Sequence, residues 1–105
     1  QSGTNDLAFV DQIGSRNMST VTQNVGGLSN NGDINQSGDD GLSELTQSGT
    51  SNAATLNQSG TFNESFITQD GLNNTATVTQ GGIMDISTVN QTGTGNSVTV
   101  SQSVP

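Results

Sequence analysis

Apolar positions in this chain recur by twos inside short segments and by elevens between them. In the segment Asn74-Thr75-Ala76-Thr77-Val78-Thr79-Gln80, one set of alternate residues is Asn74, Ala76, Val78 and Gln80, and the other is all threonine. A period of two is strand periodicity, so the first set shares one face and Thr75, Thr77 and Thr79 share the other. The aliphatic member returns at Val10, Val21, Ile34, Leu45, Leu56, Ile67, Val78, Val89 and Val100. Most of these are β-branched, as a buried strand position favours. Two residues before each stands Ala8, Ser19, Gly32, Ser43, Ala54, Ser65, Ala76, Ser87 or Val98, nearly all small. Two residues after each stands a glutamine.

The glutamines mark the period. Gln12 and Gln23 follow Gln1 at steps of eleven; after one step of thirteen come Gln36, Gln47, Gln58, Gln69, Gln80, Gln91 and Gln102, again eleven apart. A glycine stands two residues beyond the glutamine at Gly14, Gly38, Gly49, Gly60, Gly71, Gly82 and Gly93. A bend that needs positive φ or a close backbone approach suits glycine there. Five residues beyond the glutamine stand Asn17, Asn52, Asn63, Asn74 and Asn96, with Asp6 and Asp85 as close relatives.

A strict period found before any local detail signals a repeat architecture. An eleven-residue period also suits a right-handed helical coiled coil. Here each unit carries glycine, and its strand segment is rich in Thr, Val, Ser and Asn, which form helices poorly. The expected fold is therefore all-β. One strand of about six residues plus an arc of about five makes one unit, and two units close a coil of about 22 residues. About five such coils would stack at the strand spacing into a β-solenoid of two facing parallel sheets. The whole of residues 1–105 reads as one such domain. The aliphatic and small positions would form a dry core between the sheets. A buried amide without partners costs about 1–3 kcal/mol, so the inward glutamines and asparagines are expected to hydrogen-bond their equivalents in the coils above and below.

The unit 23–35 is irregular. It has two extra residues, includes Gly26 and Gly27, and lies close to the acidic cluster Asp33, Asp39 and Asp40. An enlarged arc and the least stable coil are expected there. Of the two outward faces, one carries Met18, Leu42, Phe66 and Ile86 with Phe62 and Met84 in nearby arcs, and is the more apolar.

Composition narrows the functions. Arg16 is the only basic side chain and the net charge is −8, so there is no basic footprint for nucleic acid or an anionic membrane surface. No apolar run approaches a membrane span, and without cysteine no disulfide framework exists. The chain starts at Gln1 rather than Met, as a mature secreted chain or a trimmed one would. The aspartates beside Gly32, Gly38 and Gly41 do not have the spacing of a calcium loop, so no metal or other cofactor is expected. With no His, Cys, Lys or Tyr, acid–base chemistry would fall to carboxylates alone. None of their spacings demands a shared cleft, and an enzyme is not expected.

The string Gln-x-Gly-x-x-Asn-x-Ala-x-x-x-Gln stands here as Gln47, Gly49, Asn52, Ala54 and Gln58, and again as Gln69, Gly71, Asn74, Ala76 and Gln80. It resembles the curlin repeat of bacterial curli subunits. The resemblance implies a β-solenoid of strand–arc–strand repeats that stacks end to end into functional amyloid. It further implies a secreted, cell-surface fibre subunit of the biofilm matrix, with adhesive function, exported through the curli outer-membrane secretion channel and nucleated by a minor subunit. The competing reading is an ice-binding β-solenoid. The row Thr75, Thr77 and Thr79 fits it, whereas Leu7, Phe9 and Asp11 in the equivalent row do not.

Overall fold

The computed structural model describes residues 2–24 and 26–103. Among them are nine strands: β1 (Leu7–Ser15), β2 (Met18–Gln23), β3 (Asn31–Asp39), β4 (Leu42–Thr50), β5 (Ala53–Thr61), β6 (Glu64–Leu72), β7 (Thr75–Gln80), β8 (Ile86–Thr94) and β9 (Ser97–Gln102). They alternate between two parallel sheets, ordered β1-β3-β5-β7-β9 and β2-β4-β6-β8. The fold is a β-solenoid with overall extents of 39 × 22 × 12 Å. Ten glutamines bound only nine intervals and each interval supplies one strand, so the described chain makes four complete coils and one further strand rather than five coils.

The register is that of the glutamines. Gln36 lies beside Gln58, Gln58 beside Gln80, and Gln47 beside Gln69, each 22 residues apart. The inner faces of both sheets share one core made of Ile34, Leu45, Ala54, Leu56, Ile67, Ala76, Val78 and Val89, with Val21, Val98 and Val100 packed partly buried against it. Val10 is 43% exposed, because its strand is the outermost of its sheet. Small residues admit large ones from the facing sheet. A Cβ on Gly32 would lie 2.6 Å from Leu45 Cδ2, so glycine there makes room for that leucine.

The arcs are shorter than the sequence predicts. Strand pairing continues past the glutamine and over the glycine, as in Gly38↔Gly60 and Gly49↔Gly71. Only two residues, such as Ser51 and Asn52, then separate one nine-residue strand from the next. Each coil bends at the same place as the coil beside it, so bending does not interrupt the ladder. The two extra residues of unit 23–35 are absorbed before Leu28, which already bridges Thr4 on one side and Thr50 on the other. Asn31 then pairs with both Leu7 and Ala53, and the register is restored.

Candidate functional site: amide ladders and stacked corners

The solenoid carries two columns of glutamine side chains. In one, Nε2 of Gln12 donates to Oε1 of Gln36 at 2.6 Å, Gln36 to Gln58 at 2.8 Å, Gln58 to Gln80 at 2.8 Å and Gln80 to Gln102 at 3.0 Å. In the other, Gln23 donates to Gln47 at 3.0 Å, Gln47 to Gln69 at 2.9 Å and Gln69 to Gln91 at 2.8 Å. Every bond runs from the earlier coil to the later one. The direction is not arbitrary, because each Nε2 after Gln12 also donates to a main-chain carbonyl. Gln47 reaches Asn31 O at 2.9 Å, Gln69 reaches Ala53 O at 2.9 Å, and Gln91 reaches Thr75 O at 2.9 Å. A carbonyl only accepts, so the amide nitrogen must face it. Those carbonyls begin strands of the opposite sheet, so each glutamine ties coil to coil and sheet to sheet. Gln23, Gln36, Gln47, Gln58, Gln69, Gln80 and Gln91 are all buried, Gln102 is half-buried and Gln12 is exposed.

The asparagines work differently. Those at the corners are not joined amide to amide, as mid-strand Asn35 and Asn57 are at 3.3 Å; each one clamps the main chain of a corner. Oδ1 of Asn52 accepts the Asn74 N–H at 3.0 Å. Its Nδ2 donates to Ser48 O at 2.8 Å and to Gly71 O at 3.1 Å. Asn74 and Asn63 repeat this pattern, each holding a main-chain N–H in the next coil and two carbonyls. Asn17 does the same at the first such corner, whereas Asn96 is exposed and keeps its bond to Thr92 O. Asn30 belongs to the same set: its Nδ2 donates to Gly49 O and its Oδ1 accepts from Asn52 N. Counting forward from Gln23 hides it behind the insertion. Counting back six residues from Gln36, as Asn52 stands from Gln58, would have found it.

Glycine is needed at the corners for two reasons. Gly14, Gly38, Gly49, Gly60, Gly71 and Gly93 have positive φ. A Cβ on Gly49 would also lie 2.0 Å from the carbonyl oxygen of Gly71, so no side chain fits between coils. Gly82 is buried in the wider corner after β7, where its N–H donates to Asp85 at 3.1 Å.

Two residues after each of these glycines the chain is left-handed again, at Arg16, Asp40, Ser51, Phe62, Asn73 and Met84, with φ between 56° and 60°, and at Gly95. Asn5 and Ser29 take the same place in their own corners. Residues this varied share no sequence signal, because the conformation is imposed by the corner. One corner column also holds an ion pair: Arg16 donates from Nε to Asp40 Oδ1 at 2.6 Å and from Nη2 to Oδ2 at 2.7 Å. That hydrogen bond is the main cause that holds the Asp40 carboxyl below its ordinary value, and it raises the Arg16 guanidinium likewise. Two buried oxygens lack a partner among the described residues, Asp6 Oδ2 and Gln23 Oε1. No group of three or more potential metal-ligating side chains occurs among the described residues.

No curated protein and no solved structure matches the chain. The family model for the curlin associated repeat matches residues 1–24 and 49–82, more than half of the sequence. Those stretches hold Gln12, Gln23, Gln58, Gln69 and Gln80 of the ladders and Asn17, Asn52, Asn63 and Asn74 of the corners, and the chain belongs to the curlin associated repeat family.

Proposed function

We propose that the chain is a structural subunit of an extracellular, curli-like cross-β fibre, in which copies add end to end. The observation that carries this reading is the one-way glutamine ladder. Each coil presents Nε2 donors toward the next and Oε1 acceptors toward the last, so a coil is a template for an identical coil. Nothing in that pattern distinguishes a following coil of the same chain from one of another copy. The low charge density supports close approach, since only 10% of residues are charged. Export through an outer-membrane channel, nucleation by a minor subunit, and roles in biofilm matrix and adhesion belong to the same reading, and family membership supports them.

Incubating purified chain at neutral pH and recording fibre diffraction and electron micrographs tests this. Fibres with a meridional spacing of about 4.7–4.8 Å are expected. A chain that stays monomeric at high concentration, even with preformed fibre seeds, would rule the proposal out.

A further inference from the structure

At one corner column of the solenoid, left-handed positions are occupied in order by Arg16, Asp40, Phe62 and Met84. At the other such column the residues are Asn5, Ser29, Ser51, Asn73 and Gly95, all small or polar. Bulky side chains seldom adopt positive φ; here the corner imposes it, with the Phe62 and Met84 N–H groups bonded to Asp39 O and Thr61 O at 3.0 Å, and it turns both side chains outward, Phe62 53% and Met84 69% exposed. Beside them run Glu64 and Ile86, the paired first residues of β6 and β8. Phe62, Glu64, Met84 and Ile86 together line an open groove of about 430 Å³, within the size range of small-molecule sites.

The groove is apolar except for one carboxylate. Glu64 is half-buried, and its carboxylate makes no hydrogen bond or ion pair among the described residues. The chain's only basic side chain, Arg16, is already held by Asp40. Among the described side chains a second copy offers Glu64 no unpaired cation, so a counter-charge for it comes from a molecule of another kind. Its body must be apolar to cover the phenyl ring, thioether and isoleucine, and its charge must be positive to meet Glu64. An aromatic ring next to a carboxylate is the recognition set for an ammonium carried on apolar carbon. We propose that this groove binds a small aryl- or alkyl-ammonium cation, with Phe62 and Met84 held outward by their strained backbone to form its walls.

Phenyltrimethylammonium and its uncharged isostere tert-butylbenzene distinguish charge recognition from greasy contact. Each is titrated into freshly purified, isotope-labelled full-length chain while the Phe62, Met84 and Ile86 signals are followed by NMR. The cation is expected to shift those signals and to bind about tenfold tighter than the isostere. Glu64→Gln, which leaves the main-chain bond from Gln80 to Glu64 O in place, should abolish that preference. Met84→Ser should weaken both ligands. Equal affinity for the two ligands, an unaffected Glu64→Gln chain, or shifts centred elsewhere would overturn the proposal. So would Phe62 and Met84 signals that move with protein concentration while those of the end strands β1 and β9 do not, because a second copy would then cover the groove rather than add to an end.

Discussion

The amide of Gln47 donates to Oε1 of Gln69, 22 residues further along the chain, at 2.9 Å, and neither side chain is reached by solvent. Gln47 also accepts from Gln23 and holds the carbonyls of Asn31 and Asn52. Replacing it with leucine leaves Gln69 Oε1 without its donor and removes one bond each from Gln23 Nε2, Asn31 O and Asn52 O, of which Asn52 O keeps the Asn31 N–H and Gln23 Nε2 keeps Leu7 O and Asn30 O. A buried polar group left unpaired costs about 1–3 kcal/mol, and each lost hydrogen bond about 1 kcal/mol more. Gln47→Leu should therefore destabilise the fold by about 3–5 kcal/mol in urea denaturation. Gln12→Leu, at an exposed outer rung with one ladder bond, should cost less than about 1 kcal/mol.

Two glycines separate close approach from backbone conformation. Gly49 and Gly95 both have positive φ, at 99° and 72°. A Cβ on Gly49 would collide with Gly71 O, whereas one on Gly95 would meet nothing within 4 Å. Gly95→Ala should cost only the left-handed penalty, about 1–2 kcal/mol. Gly49→Ala must also push two coils apart, and about 3 kcal/mol or more is expected. The difference between the two midpoints in denaturant measures the coil-to-coil contact.

Asp6, Gly41 and Asp85 stand where the other corners have asparagine, and the first two can be repaired. Gly41 occupies the place held by Asn17 and Asn63 in its column, beside Gln36, Gln58 and Gly60; a Cβ there would lie 3.0 Å from Asn17 Oδ1 and 3.3 Å from Gln36 Nε2, so these side chains must give by a few tenths of an ångström. Gly41 has no positive φ, so Gly41→Asn meets no left-handed strain and supplies the absent amide. At Asp6, one carboxylate oxygen accepts from Asn30 N at 2.9 Å while the other is buried without a partner among the described residues. Asp6→Asn turns that oxygen into a donor. Each substitution should add about 1 kcal/mol. It should also slow amide hydrogen exchange at its own corner without changing the opposite one.

The Arg16–Asp40 pair gives an acid dependence with a definite sign. Asp40 titrates below its ordinary value of 3.8 in the folded chain, first because of the hydrogen bond from Arg16. Its contribution is complete above the ordinary value and is lost as pH falls through the lowered one. Arg16 is 69% exposed, so solvent and salt screen the pair. An NMR titration should show the Asp40 carboxyl return toward its ordinary value in Arg16→Gln. High salt should produce the same change in part. An Asp40 titration indifferent to Arg16 would contradict the ion pair.

The chain's strand assignment, register and shared core are written in its side-chain periods, because alternation decides which face is buried and equal steps decide which residues stack. Ile34, Leu56 and Val78 lie in one column because they stand 22 apart. The corners are less legible. Their glycines are visible, but the left-handed residues two positions later include Arg16, Phe62 and Met84, which no turn preference selects. The division of labour between Gln and Asn is hidden too, since position on the coil decides it: mid-strand Asn35 reaches its equivalent Asn57 at 3.3 Å, whereas the corner asparagines hold the main chain. Arg16 and Asp40 stand 24 residues apart, and only the stacking of coils brings them together.

The uniform sense of the glutamine bonds has an electrical consequence. Each primary amide is a dipole, and in both columns the dipoles point the same way along the stack. Neighbouring hydrogen bonds in such a row polarise one another. A rod built this way has a moment that grows with its length, and two rods lying side by side gain attraction by running in opposite directions.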